Sequence, residues 1–376
     1  MKHKGNTKMQ IKISKSSLSE ALNNVQSVVG GKSTIAVLQN VMMTAKDGKV
    51  EFTCTDLDIT LLSRAECEVI EDGSTTIPVK MFASAVSKLV DGDIKIEVDD
   101  LDKAKLSAGP TVFKFLGLSA KEFPSLPDED GKSITVPAAA LREMFRKTAF
   151  AACQDETRKT LQGVLLDFSV GSGTIRSVAT DGRRLALLDA DVGNTNGFSD
   201  QFIIPRKGVD LLIKKLPKEG DCTIVTTGSQ IRFKTAKLDF TMKLLDEVYP
   251  NYMQVVPANS NETVVADRVE VLGAIDRISV FTSAAEAPCM AMAFGDNKLV
   301  VTSNNTETGE ARDEVPIKYD GEKIVMKFNP QYIREALSAI DEDEVEFRLT
   351  NEKSPAVIKK GGANDYTYVC MPLRIS

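Results

Sequence analysis

Apolar residues recur at helical spacing in six stretches of this chain, and short alternating or wholly apolar runs fill the intervals between them. Helices are predicted over residues 17–29, 138–152 and 266–281. A second helix follows each of these, introduced by Pro or Asn-Pro: IPVKMFASAVSKL from Ile77, IPRKGVDLLIKKL from Ile204 and FNPQYIREALSAI from Phe328. Strands are predicted at 10–13, at Lys49–Thr55 (KVEFTCT), at 164–168 (VLLDF) and at 298–302 (KLVVT). Asp47-Gly48, Asp181-Gly182 and Asp320-Gly321 carry turn chemistry.

These elements come in the same order three times. The segments run from about Met9 to Asp130, from Gly131 to Pro257 and from Ala258 to Ser376, giving boundaries at 1–130, 131–257 and 258–376. Pro78, Pro205 and Pro330 are 127 and 125 residues apart. Thr55-Asp56 returns as Thr180-Asp181, with Ser303-Asn304 in the third copy, and Phe123-Pro124 returns as Tyr249-Pro250. Each copy therefore predicts two helices and roughly eight strands, a layered α+β domain. The unit is longer than a solenoid repeat, so each copy reads as a complete domain.

The middle copy pairs an apolar helix face with a basic one. Val209, Leu212, Ile213 and Leu216 form a core-facing stripe. Lys207, Lys214 and Lys218 lie almost opposite it at about 100° per residue, with Lys215 to one side. In the preceding helix Leu141, Met144, Phe145, Thr148, Ala149 and Ala152 face inward, and Arg142, Arg146 and Lys147 lie across from them. Such a face can be merely solvated. Two in one domain, with Arg158, Lys159 and Arg206 beside them, can instead follow a phosphate backbone. The third copy sets Ile333, Ala336, Leu337 and Ile340 against a mixed face of Arg334, Glu335 and Asp341, which does not by itself suggest DNA.

Composition removes most enzymes. The 376 residues contain one histidine, His3, which disfavours His-based acid–base chemistry and catalytic zinc. Cys54, Cys67, Cys153, Cys222, Cys289 and Cys370 are scattered without a CxxC pair and read as buried thiols of a reducing compartment. Asp56, Asp58 and Asp181 fit no calcium-loop or nuclease pattern; Asp56 and Asp181 sit at repeated positions, which favours turn chemistry. Lys32 follows Gly30-Gly31, but no GxxxxGK[ST] surrounds it. The N-terminus lacks the apolar region of a secretion signal, and no window approaches a membrane span. The net charge of −6 argues against nucleic acid unless the basic faces are segregated from an acidic exterior. No zinc-finger spacing or basic zipper region is present, and without Trp a single-strand stacking platform is poorly supported. A sequence-specific transcription factor would need a compact reading element that is not found here. A three-domain protein scaffold would not need the lysine stripe.

VATDGRRLAL from Val178, IIPRKGV from Ile203, LLDEVYPNYMQVVP from Leu244 and the terminal YVCMPLRIS resemble the bacterial DNA polymerase III beta subunit, the sliding-clamp family. VVGGKSTIAVLQNV near the start resembles the family's first loop and strand, and the likeness runs from Met9 to the end. The resemblance implies an α+β fold of three tandem clamp domains, with helices inside and antiparallel sheets outside. Two chains would close head to tail as a dimeric ring. It implies a non-enzymatic processivity factor without a cofactor, in the cytoplasm at the nucleoid. Its partners would be duplex DNA, a second copy, the polymerase III alpha subunit, the clamp loader, and other polymerases and repair proteins, with no membrane.

Carried onto this sequence, the family's peptide pocket comprises Leu161, Thr180, Gly182, Arg183, Arg184, Leu185, Pro250, Gln254, Val255, Val369, Met371, Pro372, Leu373 and Arg374. Arg184 and Arg374 are expected to frame an apolar cavity and hydrogen-bond the peptide. Gln254 stands where well-known members have Arg, and Lys159-Thr160 stands where some place paired tyrosines. DNA contact is expected from Lys32, Gln154, Arg158, Lys159, Arg206, Lys207, Lys214 and Lys218. Dimerisation is expected from Phe113 and Phe115 against Val280 and Phe281.

Overall fold

A computed structural model describes residues 7–30, 34–125, 131–155, 157–193, 195, 197–257, 260–282, 288–305, 309–362 and 365–374. The six helices are α1 (Lys15–Val25), α2 (Val79–Ser87), α3 (Ala138–Thr148), α4 (Arg206–Lys215), α5 (Arg268–Thr282) and α6 (Pro330–Ala339). The three repeats contribute nine, eight and eight strands among the described residues.

The second helix of each repeat begins later than the sequence pattern suggests. The introducing segments are strands, Gly73–Pro78, Gln201–Pro205 and Ile324–Phe328, which hand over to α2, α4 and α6. Pro78 and Pro205 end their strands, whereas Pro330 is the first residue of α6 behind an Asn329 cap whose side chain accepts from the Gln331 N–H at 2.9 Å. The proline register is therefore off by one in the third copy. The buried stripes coincide when Val209, Leu212 and Leu216 are set on Ile333, Ala336 and Ile340.

The chain divides into two compact units. The first holds residues 1–138 and 214–244, the second 139–213 and 245–376, so the middle repeat's strands are shared between them. The first unit contains a five-stranded and an eight-stranded sheet. In the larger one, Leu238–Lys243 of the middle repeat pairs antiparallel with Ile59–Glu66 of the first repeat, Leu238 opposite Ser63 and Met242 opposite Ile59. Asp239 is buried in this seam, where Arg64 makes two bonds to it at 3.0 and 3.1 Å and Arg232 a third at 2.6 Å. A carboxylate so enclosed is tolerable only with such partners.

The second unit is built on one twelve-stranded sheet. Its seam repeats the same rule: Tyr366–Cys370 of the third repeat pairs antiparallel with Arg184–Asp191 of the middle repeat, Arg184 opposite Cys370 and Leu188 opposite Tyr366. In each unit, then, the last strand of a repeat adds to the strand that follows the Thr-Asp loop of the repeat before it. Two-residue hairpin turns fix register elsewhere. Asp47 and Gly48 have φ of 52° and 75°, and Lys46 is set opposite Lys49.

Candidate functional site

The seam of the second unit brings Leu185 opposite Val369, both buried. They belong to an apolar cluster with Leu165, Val178, Leu187, Ile203 and Val357, against which Leu245, Tyr249, Tyr252 and Val256 pack. The segment carrying the last four crosses the sheet and is pinned there, since Tyr249 Oη donates to the Val178 carbonyl at 3.3 Å and Leu245 N–H to that of Ile203 at 3.0 Å. Burial pushes the Tyr249 phenol above its ordinary pKa, so it stays a donor.

One end of the cluster is left open by the loop between residues 180 and 184. Asp181 Oδ1 accepts from the N–H groups of Arg183 and Arg184 at 2.9 and 3.0 Å. Thr180 Oγ1 donates to the Arg184 carbonyl at 2.6 Å and accepts from Gly182 N–H at 3.0 Å. Gly182 sits at φ 81°, and a Cβ there would lie 2.8 Å from an Arg158 guanidinium nitrogen. Glycine takes this left-handed conformation without strain and leaves room for the Arg158 side chain.

The result is a cavity of about 220 Å³, larger than the roughly 150 Å³ that takes a benzene ring. Leu161, Thr180, Gly182, Arg184, Leu185, Pro250, Val255, Val369 and Met371 line it, together with Arg158, Asn251 and Tyr252. All belong to the second unit. Arg183, Gln254 and Arg374 are exposed beside it, and Pro372 and Leu373 are half-buried; none of these five lines the cavity. Met371 N–H bonds the Arg183 carbonyl at 2.9 Å, and Leu373 N–H bonds that of Lys327 at 2.7 Å, which fixes the tail.

Arg184 frames the cavity, as expected, with three of its five N–H donors engaged within the chain. It is 8% exposed. Nε bonds Asp181 at 3.0 Å, one terminal nitrogen pairs with Glu335 of α6, and the other donates to the Phe150 carbonyl at 2.8 Å. The guanidinium lies 4.4 Å from the Tyr332 ring centroid. It is a wall of the site. Arg158, expected at DNA, is exposed and also lines the cavity, where its Nη1 donates to the Asp181 carbonyl at 2.6 Å. Tyr252 and Asn251 were missed, although YPNY places them directly after Pro250.

The whole chain matches three consecutive domain families: the DNA polymerase III beta subunit N-terminal domain over residues 9–127, its central domain over 135–251 and its C-terminal domain over 253–374. The chain belongs to the DNA polymerase III beta subunit family. It is 31% identical to the beta sliding clamp of Pseudomonas aeruginosa over 371 residues, covering 98% of this chain and all of that one, and 29% identical to that of Chlamydia pneumoniae over 368 residues, with 98% and 99% covered. The crystal structure of the P. aeruginosa clamp bound to griselimycin superposes with a TM-score of 0.93 at 32% identity, covering 98% of this chain and 100% of that one. The clamp of Bacillus subtilis does so with a TM-score of 0.93 at 28% identity and the same coverage.

Members of this beta subunit family are non-catalytic processivity factors of DNA replication. Among the described residues no group of His, Cys, Asp and Glu side chains could hold a metal, and no helix is long and apolar enough to cross a membrane. All six cysteines are free thiols, and burial pushes that of Cys222 up to about 12.

The basic faces read from the sequence are only half retained in this beta subunit. Gln154, Lys159, Lys207, Lys214 and Lys218 are exposed. Arg206 is half-buried, donating to the Ala152 carbonyl at 3.0 Å, and Lys32 lies outside the described residues. On α3 the cations are occupied. Arg142 donates to the Ile213 carbonyl at 3.0 Å, and Lys147 is buried, paired with Glu143 at 2.9 Å and Asp341 at 3.3 Å. Arg146 bonds the same two carboxylates. Burial works against the charge of Glu143, but the hydrogen bonds from Arg146 and Lys147 outweigh it and hold its pKa at about 2.

Of the four expected dimer residues, Phe115 belongs to the core of its own chain. It is buried and meets Phe82 edge-on at 5.5 Å. Phe113 and Phe281 are half-buried and Val280 is exposed.

Proposed function

We propose that this chain acts as a head-to-tail homodimer that encircles duplex DNA, slides on it without reading sequence, and tethers replication and repair proteins through the cavity beside Met371. Its three clamp domains are residues 1–130, 131–257 and 258–376. Working on DNA, it acts in the cytoplasm at the nucleoid.

The observation that carries the dimer is a seam used twice within the chain and left unmade at the two ends. The last strands of the second and third repeats, Leu238–Lys243 and Tyr366–Cys370, are buried almost throughout because each has neighbours on both sides. The corresponding strand of the first repeat, Thr111–Leu116, is an edge strand that pairs only with Lys103–Ala108, and most of it is exposed. The acceptor strands behave alike. Half of Ile59–Glu66 and most of Arg184–Asp191 are buried, whereas Gly309–Lys318 alternates between exposed and half-buried over most of its length. Gly309–Lys318 pairs along Lys298–Asn305 on one side and meets Glu262–Asp267 on the other only at Ile317 and Lys318.

A second copy completes both edges by the rule that already joins the repeats. Donor and acceptor surfaces differ, so the contact is heterologous and must close to avoid a filament. Val112, Leu116 and Val280, between 48% and 75% exposed, would be covered by it. The experiment is a molar-mass measurement by light scattering: the native chain runs as a dimer, and Leu116→Asp with Val280→Asp runs as a folded monomer. A native chain that runs as a monomer at micromolar concentration overturns the reading.

The cavity supports the tether. Its exposed surface is chiefly apolar, with Met371 as an adaptable wall, which suits short apolar segments of varied shape. The polymerase III alpha subunit, the clamp loader, other polymerases and repair proteins are the partners that would carry such segments.

A further inference from the structure

Arg184 has a counterpart one repeat earlier. Ile59 stands opposite Met242 as Arg184 stands opposite Cys370, and Ile59 is 3% exposed. The register that sets Val209 on Ile333 also puts Gly208 at the position of Tyr332 and Leu211 at that of Glu335. The same three positions therefore hold Ile59, Gly208 and Leu211 in one set and Arg184, Tyr332 and Glu335 in the other. Apolar residues in place of a buried ion pair are often as stabilising or more so, so the fold alone does not call for the charges. The set that carries them is the one beside the cavity.

Glu335 lies on α6 and does not line the cavity. One of its oxygens holds a terminal nitrogen of Arg184, and the other accepts from Gln331 Nε2 at 2.7 Å. Tyr332, whose ring faces the guanidinium, is itself tied down, since its carbonyl accepts from Tyr368 Oη at 2.9 Å. Asp181 and the Phe150 carbonyl take the other two bonds of Arg184. Thus α6 fixes the guanidinium through residues that stay outside the cavity lining. Without Glu335, a nearly desolvated N–H of a wall residue loses its acceptor, and such a group is costly to leave unpaired against an apolar ligand.

Resting on the reading that the cavity takes an apolar peptide segment, we infer that Glu335 is a positioning residue of the peptide site. It acts through Arg184, whose guanidinium it holds against Tyr332 with its charge compensated. Its loss turns that wall toward ligands that bring their own acceptor.

The test is a fluorescence-polarisation titration of the full-length protein with two short labelled peptides, one with Leu and Phe at its centre and one with Glu replacing that Leu. The native chain prefers the apolar peptide. Glu335→Ala weakens binding of that peptide about fivefold or more and narrows the preference. Glu335→Gln, whose amide oxygen still accepts from Arg184, recovers most of the affinity. In an Arg184→Met background Glu335→Ala has no further effect. Arg334→Ala, which breaks a pair with Asp276 on the same helix, leaves both affinities unchanged. If Glu335→Ala does not fold, Glu335→Asp, which withdraws the carboxylate by one methylene, takes its place with the same expectations. An unchanged affinity and preference in that variant, or an equal loss with and without Arg184, overturns the inference. Met371→Ala tests the underlying reading separately, because unchanged affinity there removes the peptide site itself.

Discussion

Leu57 and Gly182 occupy the same position of the same loop, with φ of 79° and 81°. The hydrogen bonds match as well. Thr55 Oγ1 serves the Ile59 carbonyl and the Leu57 N–H at 3.1 Å each, as Thr180 does for Arg184 and Gly182, and Asp56 receives the next two N–H groups as Asp181 does. In the second repeat glycine opens the loop beside the cavity. In the first, an exposed leucine is forced into the left-handed region, and the positions of Leu185, Val369 and Met371 are taken by Thr60, Thr241 and Lys243. Lys243 pairs with Asp58 at 3.0 Å. The seam is repeated, but the apolar chemistry that lines the cavity beside Met371 is not.

Leu57→Gly is expected to raise stability by about 1 kcal/mol, because a left-handed Leu carries a backbone penalty of about 1–2 kcal/mol, partly offset by glycine's extra freedom when unfolded. The urea midpoint measures it. Gly182→Ala should shift the midpoint the opposite way, since its Cβ meets both an unfavourable φ and the Arg158 guanidinium.

Met371→Ala is expected to weaken binding of a short apolar clamp-binding peptide tenfold or more in a fluorescence-polarisation titration, with little loss of stability because Met371 is only half-buried. Adding Leu185→Ala abolishes binding and leaves the oligomer intact, but also costs about 2–5 kcal/mol of stability because Leu185 is a core residue. Unchanged affinity in both variants would remove the cavity from the peptide site.

Acid should loosen the α3 ion cluster. Glu143 titrates at about 2 when folded against 4.5 ordinarily, so its contribution is fully present above pH 4.5 and disappears as pH falls toward 2. The stability difference between the native chain and Glu143→Gln should therefore narrow over that window. A difference constant with pH would place the stabilisation elsewhere.

Lys207→Glu with Lys214→Glu is expected to shorten retention on DNA or slow loading, by inverting an exposed stripe opposite the buried Val209 and Leu212. Unchanged loading and retention would contradict that assignment.

Repeat number, element order and the apolar helix faces were legible because burial imposes a period on the sequence. The start of each second helix was not, since Pro can end a strand, as Pro78 and Pro205 do, or begin a helix, as Pro330 does. Aliphatic walls such as Leu185 and Val369 were found through the family's motif. The roles of its arginines were not, because a guanidinium's partners are distant in sequence: Glu335 for Arg184, Asp341 for Arg146. The same blindness made α3 look like a second DNA face. Phe113 and Phe115 share one face of their strand, as a partner-facing pair would, yet the ring of Phe82 claims Phe115 for the core.

The most direct measurement is retention on closed circular against linearised DNA after loading, in moderate salt, with the clamp loader and ATP supplied. A topologically linked ring stays on the circle and runs off the ends of the linear form. Equal release from both, with loading verified, would contradict encirclement and leave the cavity as the property of a protein scaffold.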